Sequence, residues 1–172
     1  MVTLGREELV ARACRIALVI TDNDGVLTDG TVFVSERGEE MKQYSVRDGM
    51  GVERLRRRGI HTAVLTRESP ALIARRAEKL ELRHVWTNVR DKHAHVSRIL
   101  EETGLDVDQL AYIGDDVNDL EIIETIGHVG LVAAPGDAMH DVLSTVHYVC
   151  HSHGGRGAFR EVAEWILNLR AM

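Results

Sequence analysis

Residues 16–26 are Ile16-Ala17-Leu18-Val19-Ile20-Thr21-Asp22-Asn23-Asp24-Gly25-Val26, an unbroken run of five apolar residues followed closely by two carboxylates. An apolar run that ends in turn residues is typical of a β-strand buried on both faces, as in parallel sheets covered by helices. Such sheets bind ligands at the carboxyl ends of their strands, which is where Asp22 and Asp24 fall. Gly25 lets the backbone bend sharply there and approach a ligand closely. The stretch predicts the first strand of an α/β domain with an acidic site at its end.

Composition and charge exclude several classes of protein. The chain has 172 residues, 44% of them hydrophobic and two of them proline, which predicts one globular domain over residues 1–172. Its net charge is −6 and its arginines are interleaved with glutamates, so we expect no nucleic-acid-binding face. Cys14 and Cys150 do not form a Cys-x-x-Cys pair and are expected to be reduced core thiols of a cytoplasmic protein. We expect neither a signal peptide nor a membrane span, because no suitable apolar stretch occurs.

Strand-like and helix-like segments alternate along most of the chain, which predicts a three-layer, Rossmann-like α/β fold with a parallel sheet. Residues 31–46 interrupt this alternation with two short β-prone runs around a Gly-containing turn, which predict an inserted hairpin flap too small to be a cap domain. Helices are expected from Asp48 to about Arg58 and from Asp91 to about Gly104, with the two aspartates at the helix starts. Residues 154–157, Gly-Gly-Arg-Gly, are expected to form a flexible turn.

Polar side chains follow four of the predicted strands. They are Asp22, Asp24, Thr66, Lys92, Asp115, Asp116 and Asp119. Because the carboxyl ends of parallel strands meet at one edge of a sheet, we expect these side chains to converge. Converging carboxylates repel each other, and a hard cation such as Mg²⁺, which prefers oxygen ligands, relieves the repulsion. A lysine and a threonine hydroxyl are suited to holding phosphate oxygens, and a carboxylate can attack phosphorus. The constellation predicts metal-assisted phosphoryl transfer.

The ordered set Asp-x-Asp-Gly-Val at 22–26, Thr66, Lys92 and Gly-Asp-Asp-x-x-Asp at 114–119 resembles the four motifs of the haloacid dehalogenase superfamily of phosphatases. The resemblance covers nearly the whole chain. Residues 28–30 (Thr-Asp-Gly), 46–49 (Val-Arg-Asp-Gly) and 154–161 look like those of the small, capless branch that dephosphorylates 2-keto-3-deoxy sugar acids. The resemblance implies the same three-layer α/β fold that the alternation of segments predicts, and it implies Mg²⁺ as the cofactor.

The resemblance also implies roles for individual residues. Asp22 is expected to be the nucleophile and a metal ligand, and Asp24 the general acid/base and a metal ligand through its backbone carbonyl. The remaining roles are metal ligation by Asp115, phosphoryl binding by Thr66 and Lys92, and orientation of metal-bound water or Lys92 by Asp116 and Asp119.

The substrate is harder to predict. Glu68 with Lys79 resembles the branch acting on nononate 9-phosphates (2-keto-3-deoxynononate or N-acylneuraminate), and we favour that substrate class. Residues 46–49 look closer to the 3-deoxy-manno-octulosonate 8-phosphate type, which is the alternative, and Arg67 stands where many members have Gly. Glu68 can accept hydrogen bonds from sugar hydroxyls, and Arg76 or Lys79 of a neighbouring subunit can bind the sugar carboxylate. Equally, the charges on this segment can form an ordinary solvated helix face.

The resemblance implies a homotetramer in which the hairpins at 31–46 associate and neighbours complete each other's sites. The alternative is a solvated flap on a monomer, although lone hairpins are marginal in water. Two other functional classes use similar ingredients. A signalling receiver domain has an acidic pocket, a Thr and a Lys, but it places its phosphorylated Asp after the third strand. A non-catalytic oligomerisation module, like the C-terminal domain of some CMP-sialate synthetases, is disfavoured because Asp22, Asp24, Lys92 and Asp115 are all present.

Overall fold

The structure is a computed structural model that describes residues 4–172, apart from the side chains of Pro70 and Leu72. Residues 1–3 of the single domain expected over 1–172 lie outside the described residues. The strands are β1 (Leu18–Thr21), β2 (Phe33–Ser35), β3 (Gly38–Met41), β4 (His61–Leu65), β5 (His84–Trp86), β6 (Leu110–Ile113), β7 (Leu131–Ala134) and β8 (Tyr148–Val149). The helices are α1 (Arg6–Arg15), α2 (Val46–Arg56), α3 (Pro70–Leu80), α4 (Val96–Thr103), α5 (Leu120–Gly127), α6 (His140–Leu143) and α7 (Ala158–Arg170).

Six strands form one sheet in the order β5-β4-β1-β6-β7-β8, and every neighbouring pair is parallel. From β1 the chain first builds outward through β4 to β5, then returns to the other side of β1 for β6, β7 and β8. The winding direction therefore reverses between β1 and β6. Ligand sites of open α/β sheets lie outside the strand ends at such a reversal. The residues that follow β1 and β6 are consequently the ones placed to form a site.

Strand β1 is buried on both faces, as its apolar run predicts. Val19 faces a core that includes residues of α1, α2, α3 and α7, whereas Leu18 and Ile20 face a second core with residues of α4, α5 and α6. This alternation follows from the period of two along a strand. Helices therefore cover both faces of the sheet, and the predicted three-layer arrangement is confirmed. Within residues 4–172, no helix is long and apolar enough to cross a membrane.

The loop after β1 is held by glycines that no other residue can replace without movement. Gly25 has φ +78°, and a Cβ there would lie 1.9 Å from the Oδ2 atom of Asp115. A Cβ on Gly154 would lie 1.9 Å from the carbonyl oxygen of Gly25, and the Gly155 N–H donates to the Val26 carbonyl at 2.8 Å. The expectation of a flexible turn at 154–157 is therefore wrong, because Gly154 and Gly155 are buried against the β1 loop.

The predicted hairpin is present as a separate two-stranded sheet of antiparallel β2 and β3. Its strand residues are all exposed, including the apolar Phe33, Val34 and Met41. The hairpin stands out from the six-stranded sheet, and its return leg, residues 42–45, leads directly into α2.

Three local expectations need correction. Helix α2 begins at Val46 and its N-cap is Ser45, whose side chain accepts a hydrogen bond from the Arg47 N–H, so Asp48 lies inside the first turn. Helix α4 begins at Val96 rather than at Asp91, which instead accepts from the Ala94 N–H at 2.8 Å in a turn before the helix. Cys14 is an exposed free thiol rather than a core residue, whereas Cys150 is buried.

Candidate active site

An open cleft of about 290 Å³ lies at the carboxyl edge of the sheet. It is lined by Asp22, Asp24, Gly25, Gly30, Thr66, Arg67, Glu68, Asp115, Asp116 and Asn118. The strand-end residues predicted from the sequence thus come together. Lys92 and Asp119 lie within bonding distance of this group, with side chains inaccessible to solvent.

Asp22 is fixed by the end of β1 and by two separate donors. Its N–H donates to the Ile113 carbonyl of β6 at 3.0 Å. Its Oδ1 accepts from the Asn23 N–H at 2.6 Å, and its Oδ2 lies 2.6 Å from Lys92 Nζ. Burial raises the pKa of Asp22 to about 6, although the charge of Lys92 opposes the shift. The carboxylate is therefore oriented and partly desolvated, which removes water that would compete with a reacting group.

Lys92 is held between two carboxylates. Its Nζ lies 2.6 Å from Asp22 Oδ2 and 2.6 Å from Asp119 Oδ1. Burial disfavours the ammonium form, but the charges of Asp22 and Asp119 outweigh it and raise the pKa of Lys92 above its usual value. Asp119 Oδ1 also accepts from the Tyr112 hydroxyl at 2.6 Å, and its Oδ2 accepts from the Asp115 N–H at 3.0 Å. Asp119 is thus engaged on both oxygens and fixes the position of the Lys92 ammonium.

The acidic residues form a cluster with excess negative charge. One carboxylate oxygen from each of Asp22, Asp115 and Asp119 lies within 4.8 Å of the others. Burial, followed by the charges of Asp22 and Asp119, raises the pKa of Asp115 to about 8. Lys92 balances one of the three carboxylates, and a divalent cation would balance the two negative charges that remain. Oxygen donors in this number and spacing suit Mg²⁺, which accepts one or two carboxylates and keeps several waters.

Asp24 is held on the hairpin side of the cleft. Its Oδ2 accepts from Lys42 Nζ at 2.7 Å, and Lys42 also lies 3.2 Å from Glu68 Oε2. Although burial opposes the charged form, the bonds to Asp24 and Glu68 raise the pKa of Lys42 above its usual value. No role was predicted for Lys42 or Tyr112 from the sequence. Lys42 lies far along the chain from its partners Asp24 and Glu68, so no short sequence motif links them. Tyr112 lies in a strand that was expected to be buried, and a buried phenol needs a hydrogen-bond partner.

The remaining predicted residues differ in how close they lie to the cleft. Thr66 directly follows β4, and its hydroxyl accepts from the Glu68 N–H at 3.1 Å. Asp116 caps the turn that comes after it by accepting from the Val117 N–H at 2.7 Å. Arg76 donates to the Ser45 carbonyl at 2.7 Å and is only partly buried, so within its own chain it braces the hairpin leg. Lys79 is exposed in the last turn of α3.

Comparison with known proteins places this arrangement in a family. The family model for haloacid dehalogenase-like hydrolases matches residues 84–161. The 3-deoxy-D-manno-octulosonate 8-phosphate phosphatase of Yersinia pestis is 37% identical over 161 residues, which are 94% of this chain and 84% of the relative. The chain belongs to the haloacid dehalogenase-like hydrolases. The predicted family and phosphatase class are thereby confirmed.

Solved structures of this hydrolase family agree with the fold. The 3-deoxy-D-manno-octulosonate 8-phosphate phosphatase of Moraxella catarrhalis, in complex with magnesium, phosphate and the sugar acid KDO, superposes with a TM-score of 0.88 at 32% identity over 96% of this chain and 93% of that chain. The cobalt-bound deoxy-D-mannose-octulosonate 8-phosphate phosphatase of Haemophilus influenzae gives a TM-score of 0.87 at 35% identity over 93% of this chain and 92% of that chain.

Proposed function

We propose that this hydrolase is a Mg²⁺-dependent phosphatase of 3-deoxy-manno-octulosonate 8-phosphate. The observation that carries the proposal is the match over 94% of the chain to a phosphatase named for that substrate, which spans every residue of the cleft. The geometry of the cleft supports the chemistry, since the nucleophile and the general acid/base line one open space and the Lys92 ammonium lies 2.6 Å from the nucleophile.

In this proposal Asp22 attacks the phosphorus of the ester. Its two oxygens are held by the Asn23 N–H and by Lys92, so the carboxylate needs little reorientation before attack. Lys92, with Asp119 behind it, and the Thr66 hydroxyl bind the phosphoryl oxygens. The ester P–O bond breaks as the Asp22 O–P bond forms, which gives an aspartyl phosphate. Water then attacks this phosphorus, releases inorganic phosphate and restores Asp22.

Asp24 moves the protons of both steps. It gives a proton to the alkoxide that leaves in the first step, and it takes a proton from the attacking water in the second. Its carboxylate lines the same cleft as Asp22 but is held by different donors, which allows the two aspartates to keep different roles. Such a division of labour between neighbouring carboxylates arises from their different environments.

The residues fit a Mg²⁺ ion. Asp22 and Asp115 would hold it together with the Asp24 carbonyl. Burial and then the charges of Asp22 and Asp119 raise the pKa of Asp115, and a cation would relieve this penalty on its charged form. The bound ion would supply charge neutralisation for the transferring phosphoryl group. Asp119 is already engaged by Lys92, Tyr112 and the Asp115 N–H, which supports a positioning role for it rather than ligation, and Asp116 borders the same space.

The eight-carbon substrate is better supported than the nononate 9-phosphates favoured from Glu68 and Lys79, because the relatives of Yersinia pestis and Moraxella catarrhalis are both named for octulosonate 8-phosphate. The helical rise puts Lys79 about 14 Å along α3 from its first residue, whereas Glu68 lies at the cleft before that helix. The two residues therefore do not act as a pair within one chain. A role for Lys79 or Arg76 at the sugar carboxylate needs a neighbouring subunit.

A homotetramer remains part of the proposal. Its support is the exposed apolar surface of the hairpin, because Phe33 is 57% and Val34 69% exposed on strands that bury nothing in their own chain. Apolar side chains on an isolated hairpin favour association with another copy. A cytoplasmic location also remains a prediction, and it is supported by the two free thiols Cys14 and Cys150.

The test is the release of inorganic phosphate in the presence of Mg²⁺ from the octulosonate 8-phosphate, 2-keto-3-deoxynononate 9-phosphate and N-acetylneuraminate 9-phosphate. We expect kcat/KM to be at least about tenfold higher for the eight-carbon substrate, roughly the discrimination that 1.4 kcal/mol of transition-state binding gives. Lys79→Ala should leave this preference for the eight-carbon substrate unchanged, as should the exposed control Arg75→Ala. A preference for a nine-carbon substrate that is lost in Lys79→Ala would contradict the substrate assignment and keep the phosphatase.

A further inference from the structure

The hairpin leg at 42–45 carries two side chains toward the β1 loop. Residues alternate in exposure along this extended segment: Lys42 and Tyr44 are turned inward, and Gln43 is exposed between them. The alternation is that of an extended chain, whose successive side chains point to opposite sides. Although every residue of the two hairpin strands is exposed, the Lys42 side chain is only 2% exposed.

The Lys42 ammonium sits between two carboxylates of the cleft. It lies 2.7 Å from Asp24 Oδ2 and 3.2 Å from Glu68 Oε2. Burying a lysine side chain is unfavourable unless its charge is paired and hydrogen-bonded. A peripheral hairpin could keep this lysine in solvent at no such cost. The observed placement therefore calls for a reason within the cleft.

The reason lies in how Asp24 is held. Its Oδ1 accepts from Thr28 Oγ1 at 3.1 Å and from Asn23 Nδ2 at 3.2 Å, both within the β1 loop. Its Oδ2 accepts from the Nζ atom of Lys42, which belongs to the hairpin leg. The same leg supports Asn23, since the Tyr44 hydroxyl donates to Asn23 Oδ1 at 3.1 Å. One oxygen of the Asp24 carboxylate is thus held by the hairpin leg, and the other is held by the β1 loop.

We propose that Lys42 is a positioning residue that holds Asp24 in place for proton transfer to the leaving group, with Glu68 as its second anchor. The inference rests on the proposed role of Asp24 as general acid/base. Lys42 acts through Asp24 and does not form part of the phosphoryl-binding group, which is Lys92 and Thr66. The hairpin is accordingly part of the catalytic apparatus of its own chain, whatever its role between copies.

A series of leaving groups tests this assignment. p-Nitrophenolate leaves without a proton, whereas phenolate and the sugar alkoxide are more basic and need one. A misplaced general acid therefore slows phenyl phosphate and octulosonate 8-phosphate more than p-nitrophenyl phosphate. The quantity to compare is kcat/KM, because it covers only the steps up to departure of the leaving group and leaves out hydrolysis of the aspartyl phosphate.

For Lys42→Met we expect kcat/KM to fall about 10- to 100-fold with the two substrates that need a proton, and less than about threefold with p-nitrophenyl phosphate. Lys42→Arg, which keeps the charge and the donors, should recover part of the loss. Gln43→Ala, the neighbour on the exposed side of the leg, is the matched control and should change none of the three values. Thermal unfolding of each variant identifies any loss of fold.

Two results would overturn the assignment. An equal loss with all three substrates would mean that Lys42 binds the phosphoryl group or supports the fold, and no loss with any of them would mean that Asp24 does not depend on it. Failure of the wild-type protein to act on octulosonate 8-phosphate contradicts the proposed substrate alone, since the two aryl phosphates still compare the effect of Lys42 on the leaving group.

Discussion

Substitution of Gly25 by Ala tests whether the close approach of Asp115 to the β1 loop is needed for activity. The Cβ of an alanine would lie 1.9 Å from Asp115 Oδ2 and 2.4 Å from its Cγ, whereas an ordinary contact needs about 3.4 Å. Asp115 must therefore retreat by about 1.5 Å. A displacement of about 1 Å can cost 100-fold in rate. We expect Gly25→Ala to lower kcat at saturating substrate by at least about 100-fold.

Gly59→Ala is the matched control, because Gly59 has φ +76° against +78° for Gly25 and no atom lies within 4 Å of the place that its Cβ would take. Both substitutions impose the left-handed backbone on alanine, at a cost of about 1–2 kcal/mol. Both variants should therefore unfold at a temperature a few degrees below that of the wild type, at about 2–4 °C per kcal/mol for a chain of this length. Only Gly25→Ala should lose activity.

The assay is phosphate release with Mg²⁺ for both variants, alongside thermal unfolding and calorimetric titration with Mg²⁺. Weaker Mg²⁺ binding is expected in Gly25→Ala and unchanged binding in Gly59→Ala. If Gly25→Ala keeps a rate within a few-fold of Gly59→Ala while remaining folded, the contact with Asp115 is not what requires glycine, and the reasoning from geometry is refuted.

Three further predictions concern stability. Tyr112→Phe removes a buried hydrogen bond to the Asp119 side chain and should lower the free energy of unfolding in urea by about 2 kcal/mol. An unchanged value would show that the bond contributes nothing. Ser45→Ala removes the N-cap of α2 and should lower the free energy of unfolding by about 1 kcal/mol in the same assay. Its control is Ser97→Ala, at an exposed position inside α4, which should leave the free energy of unfolding nearly unchanged. Burial and then the charge of Arg12 lower the pKa of His147 from 6.5 to about 4, so the unfolded chain binds more protons between these values. The free energy of unfolding should therefore fall as the pH decreases from 6.5 to 4, and it should fall less steeply in His147→Asn. Parallel curves for the wild type and the variant would contradict the lowered pKa of His147.

The site was predictable where its geometry follows from the sheet. Asp22 and Asp115 come together because each follows a buried parallel strand, and the apolar runs that mark those strands are local in sequence. The same reasoning located Thr66 and Lys92. Hydrophobic patterning sets which strand ends share an edge, so the carboxylates could be grouped from the sequence alone.

Lys42 was not predictable in this way. Its partners Asp24 and Glu68 are 18 and 26 residues away, and they meet it only because the hairpin leg folds back over the β1 loop. The path of an inserted hairpin depends on tertiary packing that short-range periodicity does not encode. The alternation of Lys42 and Tyr44 was the one available signal, and a four-residue leg is too short to give it weight.

Helix starts and the glycine-rich turn were predicted less well, for a different reason. Asp48 was expected to cap α2, but its carboxylate accepts from the Arg160 N–H of α7 at 2.9 Å, a partner 112 residues away. Ser45, three residues earlier, provides the local cap. At Gly154 the absence of a side chain allows close packing on Gly25 rather than motion. The cap of α2 and the conformation of the glycine-rich turn both depend on contacts between segments that are distant in sequence. Local sequence alone allows more than one cap and more than one turn conformation.

We propose Asp22 as the nucleophile of a Mg²⁺-dependent phosphatase. The most direct measurement is phosphate release from 3-deoxy-manno-octulosonate 8-phosphate by the wild-type protein and by Asp22→Asn, each with Mg²⁺ and with a chelator. We expect turnover only in the wild type with Mg²⁺, while Asp22→Asn stays folded and inactive. Turnover by folded Asp22→Asn at a rate near that of the wild type, or no turnover by the wild type with Mg²⁺, would contradict it.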